Sequence, residues 1–360
     1  MLYVLAEPVY RESIWCNEII SGIKSKAKEK KVTVSFIENL SEITEAGQLI
    51  LVATSIGWFN EKLKKCKALP VKTVAVTPKI PVNEKIPCSF VGSDNEGAVV
   101  NMVSLLKEKG KNRIALYGVN SDSVNDLCKK NCFVSLTDGE NNVFYNNGNV
   151  SACFEAFFEN AEAFDAVLCT NSYAAFHLVN SLKTKEFDFK KLFIISLSDS
   201  RLLQFSSPAV TAVDIDYREL GKAAFEASKI LYKNPALNSV NMAVEWKVAY
   251  RQTTNALAAI SEENGELPFA SDKTSSADVF YNDNEISELM LVENLLEGID
   301  SNDLKLLCLL KEGKTYEHIS KELFVSESGI KYKLKKFYGM TNTSSKEELL
   351  RLLEKSGIEL

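Results

Sequence analysis

The chain has 360 residues, of which 46% are hydrophobic and 25% charged, with a formal net charge of −6 and a pI of about 5.4. These proportions are those of a soluble globular protein of two or three compact units. No apolar run approaches the roughly 20 residues of a membrane-spanning helix, so no membrane partner is expected.

The opening segment MLYVLAEPVYRES carries no basic region ahead of its short apolar run. It reads as a first strand and not as a secretory signal, and a cytoplasmic location is expected. Up to about Thr254, short β-branched runs alternate with helical periods: LYVLA, the segment Ile14 to Lys30, VTVSFI, LILVAT, VKTVAVT, RIALYG, FDAVLCT, LFIISL and PAVTAVDI. This alternation predicts βαβ units around parallel sheets covered on both faces. Within it, Asn95 to Glu108 is predicted as a long helix that Asp94 can cap and Gly110 ends.

From Asn255 to Asn284 the sequence is mostly polar without sustained periodicity and reads as a linker. Beyond it only helices are predicted. Ile286, Leu289, Val292, Leu295 and Leu296 form an apolar stripe expected to pack on the helices that follow. Ser301 is the expected N-cap of the next helix, with Leu304, Leu307 and Leu310 at helical spacing and Gly313 at its end. Thr315 then caps YEHISKEL, in which His318 is expected to be exposed. A third, basic helix opens at Ser326, ahead of a final helix after GMTNTSS, with Ile330, Leu334 and Phe337 on one side and Lys331, Tyr332 and Lys335 on the other. One side can hold the helix in place while the opposite side enters a DNA major groove.

The eight cysteines are scattered and the only histidines are His177 and His318. Reduced, mostly buried thiols are expected, with no structural metal. There is no G-x-S-x-G elbow, dinucleotide fingerprint or paired Cys/His arrangement, so neither an enzyme nor a cofactor is expected.

Four stretches, VGSDNEGAVVNMVSLLKEKGKNRIALYG, FDAVLCTNSYAAFHLVNSLK, LFIISLSDSRLLQFSSPAVTAVDIDYRELGKAAFEASKIL and VEWKVAYRQTT, follow one another as in the LacI/GalR-type periplasmic-binding-protein-like sensor, which the chain resembles over residues 1–254. The resemblance implies an α/β fold: a two-lobed, type I domain with parallel sheets. Lobe one is expected over about 1–111 and 217–243, and lobe two over about 112–215 and 245–254. A small polar ligand (a sugar, nucleoside or similar) would lie in the interlobe cleft. Its candidate contacts are Tyr10, Trp15, Ser55, Trp58 and Asp94 from lobe one and Lys129, Asn171, Ser198 and Asp199 from lobe two, with Tyr217 at a crossover. Three residues depart from the family's pattern. Ser198 stands where an Asp is usual, Ser172 replaces the second residue of an Asn-Asp pair, and Lys129 replaces an arginine whose planar fork a lysine cannot reproduce. They argue against a standard sugar pocket.

The run LKLLCLLKEGKTYEHISKELFVSESGIKYKLKKFY resembles the LuxR/NarL-type helix-turn-helix over about 300–353, within a DNA-binding domain expected over 285–360. By that resemblance Lys331, Tyr332 and Lys335 face double-stranded DNA, and Ser326 and Ser328 open the recognition helix. Gly329 and the junction GMTNTSS depart from the pattern. The expected function is that of a ligand-sensing transcription regulator, homodimeric on a two-part site. The rival readings are an interaction regulator with a degenerate pocket and a transport-type solute-binding protein, which would share the lobes.

Overall fold

The computed structural model describes residues 1–78, 87–137, 139–254 and 282–358. The expected linker therefore lies almost wholly outside the described residues. Lobe one begins with β1 (Leu2–Ala6), α1 (Ile14–Glu29), β2 (Val34–Phe36), β3 (Gly47–Val52), α2 (Ile56–Cys66), β4 (Val71–Val76), β5 (Cys88–Ser93) and α3 (Asn95–Glu108). Lobe two continues with β6 (Ile114–Val119), α4 (Val124–Thr137), β7 (Val143–Tyr145), α5 (Val150–Phe158), β8 (Ala166–Cys169), α6 (Ser172–Thr184), β9 (Phe193–Ser196), α7 (Leu202–Phe205) and β10 (Thr211–Ile215). The chain then returns to lobe one for α8 (Tyr217–Lys233) and β11 (Met242–Val244), and crosses again for β12 (Trp246–Ala249).

Each lobe is built on a six-stranded sheet, in the orders β11-β5-β4-β3-β1-β2 and β12-β10-β9-β8-β6-β7. All neighbours pair in parallel except β12, which runs antiparallel to β10. Helices cover both faces, so strand residues have no polar side to present. Every residue of β1, β6 and β8 is buried, which is why these strands read as unbroken apolar runs. On lobe one α1 crosses α8 closely because each contributes a glycine. A Cβ on Gly22 would stand 2.0 Å from the Arg218 carbonyl oxygen, and one on Gly221 2.0 Å from that of Ile19.

Among the described residues five helices follow: α9 (Asn284–Glu297), α10 (Ser301–Lys311), α11 (Tyr316–Leu323), α12 (Glu327–Thr341) and α13 (Lys346–Lys355). Asp300, not Ser301, caps α10, in a capping box with Asp303. Both residue types can cap, and the reciprocal bond from Asp303 decides between them. Thr315 and Ser326 cap α11 and α12. The apolar stripe of α9 is buried, but it does more than pack on its own helices. It joins them to Phe157, Phe176 and Leu203 of lobe two in one continuous apolar core. Hydrogen bonds fasten the same seam: the Val150 amide donates to Asp283 at 2.7 Å, the Ser151 hydroxyl to Glu285 at 2.7 Å, and the Asn180 amide to the Ser356 carbonyl at 3.0 Å. His177 lies 3.0 Å from Glu285.

All eight cysteines are free, and only Cys128 and Cys308 are half-exposed. Among the described residues no helix is long and apolar enough to cross a membrane.

Candidate functional site

The carboxyl ends of both sheets face one another across a cavity of about 560 Å³. Helix caps set its edges. Asn171 and Asp216 end the strand-to-helix turns there, their side chains accepting from the Ala174 and Glu219 amides at 3.0 and 2.8 Å. Such turns place polar groups where strands stop, which is where open α/β sheets form their crevices.

Trp15, Lys129, Asn171, Ser198, Asp199 and Tyr217 line this cavity. The other candidates lie elsewhere. Tyr10 is fully buried beneath Trp15, ring centroids 5.2 Å apart, with its hydroxyl 3.2 Å from Ser55 Oγ. Ser55 belongs to the seam between the lobes, bridging to Ser123, while Trp58 packs edge-on against Phe59. Asp94 caps α3, accepting from the Gly97 amide at 2.9 Å, and lines a separate cavity with Thr77, Phe90 and Cys128.

Several of the lining charges are already matched within the protein. The buried Lys129 ammonium donates to the Thr170 carbonyl at 2.7 Å, and burial lowers its pKa although Asp126 opposes this. Asp199 receives a two-pronged pair from Arg251, at 2.8 and 2.5 Å. Arg201 donates to the carbonyls of Leu296 and Ile299, satisfying backbone oxygens that the end of α9 leaves open. The Ser198 hydroxyl accepts from the Ser172 amide at 3.1 Å.

Two lining residues, Glu293 and Glu297, come from α9. Tyr173 donates to Glu293 Oε2 at 2.5 Å, and burial pushes the Glu293 carboxyl up to about 7. Burial also raises Glu297, and it raises Asp214, where repulsion from Asp199 and Asp216 adds to the effect. Sequence reading passed over both glutamates because their helix lies beyond the expected linker. The available signal was the position of Glu293 itself, four residues after Leu289 and three before Leu296, inside an apolar stripe.

On one side of the cavity the lobes touch directly. The Ile56 amide donates to the Asp122 carbonyl at 2.8 Å and the Val124 amide to that of Thr54 at 2.9 Å. Asp122 Oδ1 accepts from the Gly57 amide at 3.4 Å, and burial pushes this carboxyl up to about 6.

In the C-terminal helices Ile330, Leu334 and Phe337 are buried, while Lys331, Tyr332 and Lys335 are exposed, Tyr332 to 75%. Ser326 Oγ accepts from the Gly329 amide at 3.1 Å and lies 3.0 Å from Ser328 Oγ. Lys333, at the side of α12, is tied to Asp303 at 2.5 Å. Phe324, in the turn before α12, adopts φ +53° and is 95% exposed.

Residues 103–254 match the family model described as a periplasmic binding protein-like domain. Among solved structures the chain is similar to the transcriptional regulator CelR in complex with cellobiose, at 16% identity and TM-score 0.59, covering 70% of this chain and 84% of that one. It is similar to a putative LacI transcriptional regulator from Bacillus cereus subsp. cytotoxis NVH 391-98, at 20% identity and TM-score 0.58, covering 70% and 97%. It is also similar to the transcription regulator CcpA of Lactococcus lactis, at 17% identity and TM-score 0.57, covering 70% and 98%. No curated protein matches the sequence. The fold is thus the two-lobed, type I periplasmic-binding-protein-like architecture, followed by a helical C-terminal region.

Proposed function

We propose that this chain is a cytoplasmic, non-enzymatic transcription regulator whose two-lobed domain, residues 1–254, senses a small polar ligand and whose helices, residues 285–360, bind double-stranded DNA. The observation that carries the reading is the two-sided character of α12. Its Ile330, Leu334 and Phe337 side is buried, and its Lys331, Tyr332 and Lys335 side is open to solvent and free of ion pairs among the described residues. Lysines on such a helix meet phosphates or guanine edges, and on this reading Ser326 and Ser328 at its start add contacts to phosphate. One such unit reads few base pairs, so the regulator acts as a homodimer on a two-part site. Sensing in a fold of two lobes works by changing their relative orientation around a ligand.

Selection of bound fragments from random or genomic DNA by the purified full chain tests the reading. An enriched two-part sequence supports it. No enrichment, together with Lys331→Ala and Lys335→Ala leaving residual DNA affinity and its salt dependence unchanged, overturns it.

A further inference from the structure

Six carboxylates face the interlobe cavity, those of Glu18, Asp126, Asp199, Asp214, Glu293 and Glu297, against the two cations Lys129 and Arg201. Both cations are engaged by protein carbonyls, Lys129 by Thr170 and Arg201 by Leu296 and Ile299. Among the described residues Arg251 pairs with Asp199 and with no other carboxylate. Asp214 and Glu297 make no ion pair among the described residues, and Glu293 accepts a hydrogen bond from the Tyr173 hydroxyl. Independently of this charge, the aromatic rings of Trp15 and Tyr217 stand on the same cavity with centroids 6.5 Å apart. Aromatic rings and carboxylates together in one cavity hold an ammonium group well, through cation–π attraction and ion pairing. Glu18 is already paired with Arg218 at 3.8 Å and Asp199 with Arg251, so a neutral sugar would leave Asp214, Glu293 and Glu297 with no ion-pair partner among the described residues.

We infer that α9 completes the ligand site, and that Glu293 and Glu297 on it, with Asp214 opposite, select a small organic cation carrying a primary ammonium group. This rests on the cleft being the sensory site of the regulator. The consequence is that the helical C-terminal region touches the ligand itself. The buried face of α9 shares one apolar core with Ile330, Leu334 and Phe337 of α12, and the Lys336 ammonium donates to the carbonyl of Gly298, just after α9, at 3.2 Å. A ligand that binds better to one placement of α9 biases the placement of α12 by the same free energy.

The test uses the full chain and matched probes: glucosamine against glucose, and putrescine against 1,4-butanediol, by calorimetry at low and moderate salt. The expected result is that each amine binds at least about tenfold more tightly than its neutral counterpart, and that Glu297→Gln, on the exposed part of the wall, and Asp214→Asn each remove most of that preference. Equal or tighter binding of the neutral members, binding by no amine, or an amine preference unchanged in both variants overturns the inference. DNA selection by the wild-type chain without probe is run separately. No enrichment, together with lysine variants that leave DNA affinity and its salt dependence unchanged, removes the DNA reading and leaves the ligand class standing, while enrichment with failed amine binding removes only the ligand class.

Discussion

The Tyr173 hydroxyl donates to Glu293 Oε2 at 2.5 Å, joining the first turn of α6 in lobe two to a helix 120 residues further along the chain. The bond lies in the cavity wall, so it both fastens the C-terminal helices and positions a carboxylate at the cleft. Tyr173→Phe keeps the ring and removes the donor. It is expected to cost about 1–3 kcal/mol, the range for a buried hydrogen bond to an ionisable group. Urea midpoints give the cost, and hydrogen exchange over residues 284–297 is expected to speed up more than exchange in β1 or β3. Equal protection of α9 in both proteins would count against this fastening role.

Two buried acids make stability depend on pH in the same direction. Burial raises Glu293 from 4.5 to about 7 and Asp122 from 3.8 to about 6. Between its unfolded and folded pKa each group holds its proton in the folded chain and has lost it in the unfolded one. Stability therefore falls as pH rises, through roughly 4 to 6 for Asp122 and roughly 4.5 to 7 for Glu293. Glu293→Gln is expected to flatten the upper part of this profile and Asp122→Asn the lower part, read from thermal midpoints at half-unit steps from pH 4 to 8. Glu285 has the opposite sign. The hydrogen bond from His177 leads in holding its carboxyl down at about 2, so its small, half-exposed contribution is present above pH 4.5 and fades as pH falls through 2.

The crossing of α1 and α8 leaves no room for a methyl group at either glycine. Gly22→Ala and Gly221→Ala each force the Cβ against a backbone carbonyl 2.0 Å away, and backbone cannot rotate aside as a side chain can. Each is expected to destabilise lobe one by about 1–3 kcal/mol. Gly339→Ala, on α12 with open space around it, provides the contrast. It is expected to be neutral or stabilising by up to about 1 kcal/mol through helix propensity. Denaturant melts of the three variants check the ordering.

On the DNA-binding reading, Lys331→Ala and Lys335→Ala lower affinity for the selected fragment and each reduce the slope of log affinity against log salt by about 1 if they meet phosphates. A loss confined to one base position, with the slope unchanged, would instead mark a contact to a base edge. Gel shifts or fluorescence anisotropy across a salt series distinguish these outcomes. Lys333→Ala serves as comparison, since its ammonium is already tied to Asp303.

Much of the fold was legible because its causes are local. The inner strands β1, β6 and β8 announced themselves as unbroken apolar runs, since sheets covered on two faces have no polar side. Asp94 and Thr315 could be placed as caps because a cap bonds to an amide within three residues. The burial of Ile330, Leu334 and Phe337 follows from 3.6-residue periodicity. The cleft was legible only in part. Asn171 and Asp199 lie just past strand ends and reach the cavity, as Trp15 does from α1, whereas Tyr10, Ser55 and Trp58, also a few residues past strand ends, point into the lobe core, the seam between lobes or an aromatic neighbour. Position along a strand sets the end of the sheet at which a residue sits, not the direction of its side chain.

The sequence by itself determined two α/β lobes, a helical end and the two faces of α12, because hydrogen-bond reach and hydrophobic period are written in neighbouring residues. Only the tertiary structure decided that α9 lies against lobe two and turns Glu293 and Glu297 toward the cleft. That placement depends on Tyr173, Arg201 and His177, each roughly a hundred residues away, and on apolar surfaces whose partners no local pattern names.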